Sequence, residues 1–346
     1  MIISLWLMPD IKQKKQRDAR LDLLRCMMML GVCLLHSLNQ YDADHWRYGS
    51  MWYWCVDGFV FISGWFGISF RLSKIVRLYS VAIWCAFVVR IVGGAQYGVV
   101  NTIQSYWFLH AYVFMMLLAP VIDSAIEYAS TQGKMFFAAT FMPFLLLVFG
   151  WSYLANFDLF KIVPHTPGLG ASTGLSLLGI YAMARICKKT NAFLSLHVSN
   201  LFLSCSVLVI FALGVFNCNL INSPTTLLLT TLIFVASLKF PMMHGRLWRV
   251  LAPSMFSVYL LHTNGFVFGK IRYCVDGLVE TGCPRFAAFI LLAIAIFLVC
   301  IGVDMLRRSV LRVFARVVDA VCAKIDSLYD TVISKILSVP LFDTGK

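Results

Sequence analysis

The sequence predicts an all-α, polytopic membrane protein with about ten transmembrane helices and a C-terminal amphipathic helix on the cytoplasmic side. Three observations carry this. Of 346 residues, 60% are hydrophobic and 13% charged, with a mean hydropathy of +0.81, more apolar surface than a soluble core of this size buries. The apolar residues gather in ten runs long enough to span, near 21–38, 51–70, 75–94, 104–123, 135–155, 169–186, 198–216, 225–240, 250–269 and 286–306. The cations alternate with those runs. With the N-terminus assigned to the cytoplasm, 22 of the 29 Lys and Arg fall inside and five outside, with Arg25 and Arg90 embedded. Such a bias puts both termini in the cytoplasm.

The chain divides into a cytoplasmic N-terminal segment 1–20, a transmembrane domain 21–306 and a cytoplasmic tail 307–346. The formal charge of +13 follows from that topology and does not point to nucleic acid. The stretch Met1–Met8 is too short to span, and its basic run follows the apolar residues, the reverse of a cleaved signal peptide. Eleven cysteines lie mostly in apolar runs without CxxC pairs, and only Cys274 and Cys283, in one hydrophilic loop, are placed to form a disulfide. The seven histidines show no metal-ligand spacing, so no metal is expected.

The first run, Asp22 to His36, is the unusual one. Arg25 and His36 are eleven residues apart, three helical turns and about 20°, so they project from one face about 16 Å apart along the axis. Asp22 falls on the same stripe. Ionisable groups in a membrane helix face a protein-lined or watery pathway by default. The charge bias puts Arg25 near the cytoplasmic end and His36 near the outer end.

The second run brings Asp57 to what looks like the depth of His36. There it either orients the imidazole and raises its basicity or caps a wet helix end. The turn after it carries Arg71, Lys74 and Arg77 on one side of a helix start, a clamp for phosphates or ordinary positive-inside anchoring. His110 and Tyr112 in the fourth run line a cavity or serve as structural groups. The run Gly168–Gly174 reads as close helix packing. In the ninth run Ser257, Tyr259 and His262 lie in the membrane, followed by an outer loop, Lys270–Arg285. From Arg307 to about Leu337 apolar residues recur at helical spacing, which predicts an amphipathic helix on the membrane surface or against a partner.

A cationic inner end, an outer imidazole and a carboxylate suggest group transfer across or within the membrane. The alternative is a transporter or flippase for glycans or lipid-linked sugars that uses the polar stripe as its path. At this point the sequence resembles the acyltransferase-3 family of integral membrane O-acyltransferases. The resemblance rests on Arg25, ten intervening residues and His36; on Val56–Trp65 with its Asp57 and Ser63-Gly64; on Lys74-Ile-Val-Arg77; and on Ser257–His262. It spans about 18 to 306. Lys74 stands where the family more often has Arg, and Ser80 where it often has proline.

The resemblance implies transfer of an acyl group, most often acetyl from acetyl-CoA, to a hydroxyl of a cell-envelope glycan or lipid-linked sugar at the bacterial cytoplasmic (inner) membrane. It implies His36 as general base or transient acyl acceptor, with Asp57 orienting it. Arg25, Lys74 and Arg77 would bind the acyl-CoA donor, and Tyr112, Tyr259 and His262 would line the substrate site.

Overall fold

The computed structural model describes residues 19–41, 52–133, 174–190, 203–209, 224–239, 245–310 and 312–338, with 49, 136–137, 141 and 199 between them. Among these residues every regular element is helical. The expected span 135–155 lies almost wholly outside the described residues, as do the loop 156–167 and nearly all of the run 168–174; of the expected span 198–216, residues 203–209 are described and helical. The helices are α1 Ala19–Asn39, α2 Tyr53–Phe66, α3 Leu72–Gly93, α4 Val99–Gln104, α5 Trp107–Thr131, α6 Gly174–Lys189, α7 Pro224–Lys239 and α8 Arg246–Leu251. They continue with α9 Met255–His262, α10 Gly265–Glu280, α11 Arg285–Val310 and α12 Arg312–Ser338.

Four of these, α1, α3, α5 and α11, are long and apolar enough to cross a membrane. Their surroundings differ. In the most apolar stretch of α1, 78% of residues are buried, against 33–39% in the other three. So α1 is the core of the bundle, touching α2, α7, α8, α9, α10 and α11, while the others expose apolar flanks such as Ile91, Val121 and Leu298. A polar stripe on α1 is therefore enclosed by protein.

Close approach sets the register of α1 against α2. Gly31 leaves room for Cys55 and Trp52, and Gly58 for Met28. On the next face, Gly64 of α2 meets the backbone of Tyr181 in α6. The turn after α2 needs Gly67, whose φ of 81° suits a residue without Cβ. Its N–H donates to the Ser63 and Gly64 carbonyls at 2.9 and 3.2 Å. The Tyr181 hydroxyl then accepts from the Ile68 N–H at 3.1 Å and donates to Asp123 of α5 at 3.0 Å, and Arg185 Nε reaches the same carboxylate at 2.8 Å. That network holds the chain where it enters α3.

Two expectations are corrected. After Gly94, with φ 99°, short helix α4 packs on α3, and the fourth run, expected over 104–123, forms α5 from Trp107 on to Thr131. The ninth run is not one helix. It breaks at Thr263-Asn264, because Asn264 is extended (φ −146°, ψ 161°) and its Oδ1 accepts from the Phe266 and Val267 N–H groups at 3.1 Å. That cap starts α10, so most of the expected outer loop 270–285 is helical. Cys274 and Cys283 are both free thiols.

Candidate active site

A row of aromatic rings joins the surroundings of Arg25 to His36. Near one end of α1, Arg25 Nη1 donates to Asp22 Oδ1 at 2.8 Å, and both side chains are buried. The charge of Arg25 reaches the Tyr112 hydroxyl, which also faces Ser63. Tyr112 and Phe108, one turn apart on α5, have ring centroids 6.0 Å apart, and Phe108 meets Tyr259 at 5.5 Å. Tyr259 meets His262 edge-on at 6.4 Å, and His262 meets His36 at 5.3 Å. Phe268 of α10 closes the far side of His36 at 5.4 Å. Thus Arg25, Tyr112, Tyr259, His262 and His36, drawn from three separate stretches of chain, share one continuous site.

Hydrogen bonds fix the key rings. Tyr259 Oη accepts from the Phe108 N–H at 3.2 Å, at the first turn of α5, where backbone donors have no helical partner. His262 Nδ1 lies 2.6 Å from the Val258 carbonyl. A carbonyl only accepts, so Nδ1 carries the proton and a neutral His262 holds its lone pair on Nε2. That Nε2 is buried with no hydrogen-bond partner among the described residues, a costly state for a purely structural histidine. His36 is of intermediate exposure, with its ring between those of His262 and Phe268.

The other expected residues lie elsewhere. The contacts of Gly31 with Cys55 and of Gly58 with Met28 put Asp57 level with residue 29 of α1, about 10 Å along the axis from His36. The expected equal depth is not met. Asp57 is buried and hydrogen-bonded with Thr226 of α7, so it ties α2 to α7. The imidazole neighbour of His36 is His262. Lys74 Nζ donates to Ser69 Oγ and the Ser69 carbonyl at 2.6 and 2.8 Å, and Arg77 Nη2 pairs with Asp319 of α12 at 2.9 Å. These two cations sit at the start of α3, apart from the ring row. His110 bonds the Tyr79 hydroxyl through Nδ1 and the Ile103 carbonyl through Nε2, both at 3.0 Å, which makes it a strut between α3, α4 and α5.

Sequence reasoning passed over a buried polar centre on α11. Asp304 accepts from Ser257 at 2.5 Å and from Arg307 at 2.9 Å, and Arg308 Nε lies 3.0 Å from its other oxygen. An acid inside an apolar run, followed by Arg at i+3 and i+4, was the available signal. Among the described residues, no group of three His, Cys, Asp or Glu is close enough to hold a metal ion.

No curated protein and no solved structure matches the chain. The family model described as an acyltransferase domain (Acyl_transf_3) matches residues 18–305, a range holding both ends of the ring row and the cations that begin α3. The chain therefore belongs to the Acyl_transf_3 family of acyltransferase domains.

Proposed function

We propose that this chain is a membrane O-acyltransferase that moves a short acyl group, acetyl in the simplest case, from acyl-CoA to a hydroxyl of an envelope glycan or lipid-linked sugar. The contact between His36 and His262, at the end of a ring row leading back to Arg25, carries the reading. The alternation of cations supports a cytoplasmic donor and an acceptor that meets His36 from the outer side of the bacterial inner membrane. Arg25 and the cations at the start of α3 hold the phosphates of the donor, and its thioester arm lies along the rings toward His36.

In the chemical step His36 removes the proton of the acceptor hydroxyl, and the oxygen attacks the thioester carbonyl. The C–S bond breaks as the ester C–O bond is completed, and the imidazolium returns its proton to the departing thiolate. His262, locked with its lone pair on Nε2, orients the His36 ring and shares its positive charge while the proton is held. Tyr259 and Tyr112 line the path of the acyl chain and the acceptor.

The test uses purified protein, radiolabelled acetyl-CoA and an envelope-glycan acceptor. His36→Ala lowers transfer about 10²–10⁴-fold, the usual worth of a general base. His262→Asn keeps the hydrogen bond to Val258 but removes Nε2, and it lowers kcat and alters its pH profile with donor KM unchanged. Undiminished transfer in His36→Ala overturns the base assignment, and wild-type kcat in His262→Asn reduces that residue to a structural role.

A further inference from the structure

The start of α3 is occupied by the protein's own carboxylates. Asp326 of α12 accepts from the Ser73 hydroxyl at 2.6 Å and the Ser73 N–H at 3.2 Å, and it lies 3.7 Å from Arg71 Nη1. Asp319 pairs with Arg77 at 2.9 Å. An anion thus sits at the N-terminus of a 22-residue helix, where unpaired N–H groups and the helix dipole favour negative charge. Between the two acids the Cys322 thiol is fully buried 3.8 Å from the Ser73 carbonyl, and Tyr329 packs edge-on against Phe70 at 5.6 Å.

Asp319, Cys322, Asp326 and Tyr329 lie within about 80° of arc on α12. The opposite face carries Val317, Val321 and Leu328, all exposed at 50–66%. This helix therefore turns its acids toward α3 and its aliphatic residues away, the reverse of a helix docked by hydrophobic burial. Its hold is largely polar: each ion pair has one well-exposed member, Arg71 at 61% and Asp319 at 41%, so both pairs are screened by solvent, and beside them stand the Cys322 and Tyr329 contacts. Moreover, α12 lies beyond residue 305, outside the range the family model matches.

We infer that α12 is a built-in anionic plug on the acyl-donor site: Asp319 and Asp326 occupy the cations that the donor phosphates take, and donor binding displaces the helix. The inference rests on the assignment of Arg71, Lys74 and Arg77 to the donor. The donor brings several phosphate charges, each a stronger acceptor than a carboxylate, against the two acids of α12, and the aliphatic face of the released helix suits the membrane surface beside it.

Cys322 reports the displacement. Full-length protein in detergent is treated with a maleimide, and modification of Cys322 is followed by peptide mass spectrometry with and without dethio-CoA, which carries the phosphates but no thiol. Equilibrium dialysis measures dethio-CoA binding in parallel. Saturating dethio-CoA is expected to speed Cys322 modification about tenfold or more. The double variant Asp319→Asn/Asp326→Asn modifies fast without ligand, and it lowers the acetyl-CoA KM about three- to tenfold at unchanged kcat, the worth of two partly exposed ion pairs. Binding of dethio-CoA with no change at Cys322, or an unchanged KM in the double variant, overturns the plug and leaves the donor assignment standing. Absence of dethio-CoA binding to both proteins overturns the donor assignment itself.

Discussion

Replacing Gly64 with alanine tests how the α2–α6 contact supports the donor end of the site. A Cβ added there falls on the Tyr181 carbonyl oxygen, 2.8 Å from Ala184 Cβ and 3.0 Å from Tyr181 Cα. None of these atoms can rotate aside, so the helices must part. Overpacking of this kind costs about 1–3 kcal/mol. The parting also strains the bonds of the Tyr181 hydroxyl to Ile68 and Asp123, each worth about 0.5–1.5 kcal/mol net. Alanine returns about 1 kcal/mol of helix propensity, so the expected net loss is about 1–5 kcal/mol. Gly58→Ala is the control: it gains the same propensity, but its Cβ meets Met28 Sδ, part of a flexible side chain. Reversible unfolding in mixed detergent micelles should show Gly64→Ala less stable than Gly58→Ala by at least tenfold in the unfolding constant. Because Ile68 leads into α3, donor KM should rise in Gly64→Ala alone. Equal stability of the two variants, with equal donor KM, would refute the reasoning.

Two further outcomes follow from the polar contacts. Asp304→Asn leaves Arg307 and Arg308 around a buried neutral group and should cost about 3 kcal/mol in the same unfolding assay; wild-type stability would show that the cluster is not a stabilising one. The Tyr41 phenol donates to Asp276 at 2.6 Å, and this bond, with burial and the carboxylate charge, raises its pKa above the ordinary value of 10.0. The folded state thus favours the neutral phenol, and the stability it adds is present below pH 10 and lost as pH rises through the folded value. Tyr41→Phe should flatten the fall in stability above pH 10, and an unchanged slope would count against the link.

The stripe Asp22, Arg25 and His36 was legible because helical periodicity alone sets which residues share a face. The depth of Asp57 was not, since the register of α2 on α1 depends on the close approaches at Gly31 and Gly58, not on how far each residue lies from a helix end. His36 and His262 are brought together by tertiary packing, and no local pattern announces it. Helix α10 was hidden because its polar composition reads as a loop, although Asn264 before Gly265 is a cap signal. Asp304 was visible in principle as an acid within an apolar run. The docking of Asp326 on Ser73, 253 residues away, was not, because the periodicity of α12 marks its apolar face and not the acidic face it uses.

The pairing of Asp22 with Arg25 has a consequence for how the chain is made. In the chain α1 precedes α2, α9 and α11, so it enters the bilayer before they exist to enclose it. A lone charge costs about 2.5–3.5 kcal/mol at the centre of a membrane helix on insertion scales, and less toward its end, where Asp22 and Arg25 lie. Here acid and base are three residues apart on the same helix, so their ion pair forms without help from any later segment. The nascent helix can present a near-neutral unit to the lipid and keep its guanidinium for the bundle that assembles around it.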